Sequence, residues 1–176
     1  MGKNKPFFAW HYNNFDIGGE MFDDRFKQRY KTIPFAYVSN DYKKEDNRLH
    51  GNRIFHQHKE AEILIIRAGR AAVQIEGEEG RLPLSEGDVV LIPPLLPHCY
   101  SKEKDFPFSH DCVCFDLSLL ADRALCDGLE SGALSLPSVL YQRDPIAACV
   151  FSHVSAAVQA CRLGGEGWEL ESVGHL

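Results

Sequence analysis

The chain has 176 residues, room for one domain or one domain with a helical appendage, and a core of that size needs no covalent staple. A composition of 44% hydrophobic and 25% charged residues excludes a disordered chain, and a formal net charge of −6 disfavours general attraction to nucleic acid or anionic membrane, which requires clustered Lys and Arg. The N-terminus lacks the apolar core and cleavage site of a signal peptide, and no apolar run approaches the ~18 residues that span a bilayer. Six cysteines without a CxxC pair then read as free thiols in a reducing cytoplasm.

Residues 1–30 form an irregular arm rich in aromatic residues (Phe7, Phe8, Trp10, Tyr12, Phe15, Phe22, Phe26, Tyr30), which packing must cover. Lys31–Val38 reads as an early strand, followed by a charged turn at 43–48. Short strands are then expected at Ile54–His58, Glu62–Ala68, Ala71–Ile75, Arg81–Leu84, Val89–Ile92, Pro97–Ser101 and Ser109–Leu117. Turns are read at Gly69-Arg70, Gly77–Gly80 and Ser85–Asp88, and Pro93-Pro94 interrupts the chain after Ile92. Many short strands with no intervening helix predict a sandwich or barrel over 31–120. Residues 121–176 change character. From Pro145, the apolar or small residues Ile146, Cys149, Val150, Val154, Ala157, Val158 and Cys161 recur at helical spacing. Asp144 is the expected N-cap, Pro145 lies in the first turn, and Gly164-Gly165 is the stop. A further helix opens at Gly167 without a stop signal, from which the natural polypeptide is expected to continue.

Chemistry concentrates in two segments. In His56-Gln57-His58 the imidazoles stand two apart, so a strand presents both on one face. If the strand resumes in register, Glu62, Leu64 and Ile66 join that face. Gly87–Pro93 and Leu96-Pro97-His98 add a third imidazole after a Pro-marked corner. Three His and one carboxylate with open positions form a half-shell suited to a divalent transition metal such as Zn, Ni, Fe or Mn.

This spacing resembles the two motifs of the cupin family, filled here by Gly51, His56, His58, Glu62 and Gly69, and by Gly87, Pro93 and His98. The second motif departs from the pattern: Leu95 stands where a Gly is usual and Lys102 where an Asn is expected. A closer resemblance, over about 33–176, is to the N-terminal sensing domain of AraC-type transcriptional regulators. It rests on Glu62-Ile63-Leu64, Gly69, the run Gly87–His98 with its Gly-Asp, Ile-Pro-Pro and Pro-His, and Phe115–Leu120. The resemblance implies a mainly β fold, a double-stranded β-helix (jelly-roll barrel) followed by C-terminal α-helices. It also implies a non-enzymatic, cytoplasmic, homodimeric sensor that binds a small molecule, sugar-like in this family, with His56, His58, Glu62 and His98 as metal ligands. DNA contact would fall to a helix-turn-helix domain that these residues do not contain. Tyr100, two beyond His98, should line the same interior, and Tyr37 and Arg53 are further expected effector contacts. Cys112 and Cys114 share a strand face and read as buried inert thiols. The competing reading is a metal-dependent cupin enzyme, a dioxygenase or sugar isomerase, which the complete ligand set favours and the altered second motif does not.

Overall fold

A computed structural model describes residues 35–43, 55–164 and 166–176. The arm at 1–30, the beginning of the first expected strand, most of the charged turn, Gly51, Arg53 and Gly165 lie outside these residues. Seven described strands occur in the order β1 (Phe35–Tyr42), β2 (Ala61–Ile75), β3 (Leu82–Ser85), β4 (Val89–Ile92), β5 (His98–Lys102), β6 (Phe108–Phe115) and β7 (Val139–Leu140). All pairings are antiparallel. Three helices follow or flank the last strand: α1 (Arg123–Glu130), α2 (Pro145–Leu163) and α3 (Trp168–Gly174).

The organising element is β2. Two strands were expected on either side of a turn at Gly69-Arg70; they are one 15-residue strand. Its first half pairs with β6 and β4, within the order β1-β6-β2-β4-β7. Its second half pairs with β3 and β5. The register against β6 slips between Ile66 and Ala68, and Gly69 follows with φ +86°. A Cβ at Gly69 would stand 1.9 Å from the carbonyl oxygen of Pro107. The glycine therefore marks a bulge that bends one strand from sheet to sheet, not a reversal. The segment read as a strand at 54–58 is, in its described part, only an isolated bridge between His56 and His98.

Alternation along the strands divides the core in two. Leu64, Ile66, Val73, Ile75, Leu84, Val90, Ile92, Phe108, Cys112 and Cys114 fill the space between the two sheets. Their neighbours Ile65, Val89, Val113 and Phe115 point outward and pack against Val154, Ala157, Val158 and Cys161 of α2. The expected signals set that helix: the Asp144 carboxylate accepts from the Ile146 N–H, Pro145 occupies the first turn, and Gly164 terminates it at φ +59°. By length and composition α2 is apolar enough to cross a membrane; six of its residues are buried against the rest of the chain. The segment 121–176, read as the helical region, also returns β7 to pair with β4, and a 3-10 turn at Leu117–Leu119 leads into it.

Candidate metal centre

Two irregular segments lace together at one end of the barrel. His56 and His98 exchange backbone hydrogen bonds, N–H to O, at 3.0 and 2.9 Å. The Leu95 N–H donates to the His58 carbonyl at 2.7 Å. Leu95 holds φ +62°, a left-handed conformation that glycine adopts more readily than leucine. This loop brings His98 beside the first motif.

The four side chains converge. Their ligand atoms all lie within 4.8 Å of one another, and the ring centroid of His98 is 4.2 Å from that of His56 and 5.4 Å from that of His58. His58 Nδ1 meets the Glu60 carbonyl at 2.9 Å, and His98 Nδ1 meets the Leu96 carbonyl at 2.8 Å. Each carbonyl can only accept, so each Nδ1 carries the proton and each Nε2 faces the centre. His58 Nε2 lies 2.9 Å and His98 Nε2 3.6 Å from the same oxygen, Glu62 Oε2. His98 is fully buried, yet its Nε2 has no hydrogen-bond partner. Two donors each about 2.1 Å from one ion, at right angles to tetrahedral, stand roughly 3.0–3.4 Å apart. The observed spacings bracket that range, and carbonyl-anchored imidazoles are the usual support of metal-ligating His. The residues present therefore fit a divalent ion.

Burial alone pushes the Glu62 carboxyl up, but the His58 and His98 imidazoles outweigh it and hold it well below the usual carboxylate range. Burial opposes charge on His58, and the Glu62 and Glu60 groups more than offset it, raising this imidazole. Tyr100 O–H donates to Glu62 Oε1 at 2.7 Å, which places it beside the four residues. Burial and the adjacent carboxylate push its phenol well above the ordinary value.

Tyr37 is not brought to the four residues. It pairs with Val113, whose side chain points toward the helices, and it packs at the seam of both clusters. Arg53 lies outside the described residues. Glu60 and His110 were not read as parts of the site, and Cys114, which could approach His98 by its strand face, was read as an inert thiol. Glu60 is buried, with its carboxylate 3.9 Å from His58 Nδ1. Cys114 is the direct cross-strand partner of Glu62, its Sγ 3.8 Å from Oε2. His110, four residues along β6, stacks with Phe108 and Tyr42 inside the barrel, its Nδ1 without a hydrogen-bond partner. Alternation on β6 was the available signal for the last two, but only the register against β2 shows what they face.

Parts of the chain are similar to parts of several solved structures, all with TM-scores below 0.5. A cupin-like protein from Thermotoga maritima is 21% identical over 56% of this chain and 74% of its own, with a TM-score of 0.41. A cupin protein from Bacteroides fragilis is 23% identical over 58% and 80%, also at 0.41. A DMSP lyase from Ruegeria pomeroyi is 26% identical over 48% of this chain and 39% of its own, at 0.40. No curated protein matches the chain. The family model of the AraC-like ligand binding domain matches residues 45–161, a span that contains all four converging residues, and the chain belongs to that family.

Proposed function

We propose that this domain senses a small molecule, sugar-like in chemistry, bound in the barrel beside a divalent transition metal held by His56, His58, Glu62 and His98. One observation carries the reading: two buried imidazoles are clamped at Nδ1 so that both Nε2 atoms meet one carboxylate oxygen, and one of those nitrogens has no hydrogen-bond partner. The unpartnered His98 nitrogen is costly without an ion and natural around one. When bound, the metal would supply a Lewis-acidic anchor for hydroxyl or carboxylate oxygens of the ligand. Tyr100, already hydrogen-bonded to Glu62, supplies a polar contact, with Arg53 and Tyr37 as outer candidates.

In this reading the domain works as a cytoplasmic homodimer. The apolar residues Ile146, Leu163 and Leu170, exposed on α2 and α3, favour a second copy as the cover for that side. DNA would be reached through a helix-turn-helix domain outside these residues, and the ligand acts by binding one state of the dimer more tightly than the other. The complete ligand set also favours a second reading, a metal-dependent cupin enzyme. Thermal unfolding of the metal-loaded protein against a panel of monosaccharides and sugar acids separates the two. A sensor shows a ligand-specific rise in Tm that shrinks in Tyr100→Phe, with the ligand recovered unchanged. Recovery of a converted product establishes the enzyme, and a flat response across the panel removes the sugar-like assignment.

A further inference from the structure

The interior of the barrel carries a second group of donors that the imidazole centre does not use. Cys112 and Cys114 both point inward from β6, 1% and 2% exposed. Cys114 stands opposite Glu62 and Cys112 opposite Leu64 on β2. Their sulfurs are 3.8 Å apart, and Cys114 Sγ is 3.8 Å from Glu62 Oε2. Two thiolates on one tetrahedral ion, each at roughly 2.3 Å, stand about 3.8 Å apart. The sulfurs therefore have the separation of a bis-thiolate pair, and the three ligand atoms lie within 4.8 Å of one another. The carboxylate oxygen that faces them is the one that faces His58 and His98. Paired ions sharing a ligand in this way are ordinary at separations of about 3.5–4 Å.

We infer that Cys112, Cys114 and Glu62 form a second site for a thiophilic divalent ion, with Glu62 shared between it and the imidazole centre. Sulfur selects softer ions than imidazole and carboxylate do, so the two sites differ in preference. Each thiol releases its proton to solvent as its sulfur takes the ion. The site needs no ion on the imidazoles, so it stands apart from the reading above.

Cadmium alone is the probe, titrated into the chain carrying Cys149→Ser, because Cys149 is the exposed cysteine among the six. The expected result is two equivalents bound at saturation, with a thiolate-to-cadmium charge-transfer band developing for one of them. Cys112→Ser or Cys114→Ser should abolish the band and leave one equivalent, whereas His98→Ala should keep the band. X-ray absorption at the cadmium edge of the saturated parent should show sulfur neighbours. A saturated parent without sulfur neighbours, or a band that survives in the Cys112→Ser/Cys114→Ser double variant, overturns the inference. One equivalent with sulfur neighbours and the full band sustains it and refutes the imidazole centre instead.

Discussion

Strand β6 presents two different chemistries to its two sides. His110, Cys112 and Cys114 face the space between the sheets, where Glu62, His98 and Tyr100 add further polar atoms. Asp111, Val113 and Phe115 face the helices. There Val113 and Phe115 join an apolar layer under α2, and the one acid, Asp111, meets Arg67 at 3.1 Å and Arg162 of α2 at 3.9 Å. The outer face is closed and largely compensated, which suits holding a helix in place. Asp111 Oδ1 makes no hydrogen bond, but the Arg67 guanidinium stands 3.1 Å from it; inside, His98 Nε2 and His110 Nδ1 are left without hydrogen-bond partners. Polar groups buried in that state lower stability unless a ligand completes them, and this asymmetry separates scaffold from site.

Truncating the outer layer should have the largest effect. Ile65 is fully buried beneath α2, so Ile65→Ala should cost ~2–5 kcal/mol in chemical denaturation while metal stoichiometry stays unchanged. A concurrent loss of metal would show that the two faces are not separable. The inner face should respond to pH instead. Burial lowers the His110 imidazole from 6.5 to about 4, so the unfolded chain takes up a proton that the folded barrel refuses. Stability should therefore fall as pH drops from 6.5 toward 4, by on the order of 3 kcal/mol. His110→Phe, which keeps a ring beside Phe108 and Tyr42, should flatten that slope in urea titrations at successive pH values. An unchanged slope would move its origin elsewhere.

The smallest effect concerns the loop that carries His98. Leu95 holds φ +62° with its side chain largely in solvent, a conformation that disfavours any residue with a Cβ. Leu95→Gly should thus raise stability by ~1 kcal/mol and leave metal affinity unaltered, since the backbone is already in place. A destabilised variant would mean that the leucine side chain supports the loop.

Much of this arrangement was legible in residue order. His56-x-His58, the Glu62 spacing and Gly87–Pro93–His98 identified the barrel and the four converging residues, because alternation and motif spacing are local. Asp144, Pro145 and Gly164 delimited α2 for the same reason: caps act on their own helix. What failed depended on partners far along the chain. Gly69 announced a positive φ, but whether that means a turn or a bulge is decided by Pro107 pressing on it from the start of β6. Tyr37 was expected as an effector contact; which face it lies on is set by the register of β1 against β6, which pairs it with Val113. Leu95 does depart from the motif's glycine, and residue order does not show that it holds φ +62° with its N–H donated to the His58 carbonyl.

We propose that the inner face is a metal centre built on clamped imidazoles. Elemental analysis of purified protein, after incubation with Ni, Zn or Fe and exhaustive dialysis, tests it most directly. The account predicts at least one equivalent of ion per chain, reduced by one in His58→Ala and in His98→Ala variants that keep the parental circular dichroism. Less than about a tenth of an equivalent of any transition metal in the parent, unchanged by incubation, would contradict it.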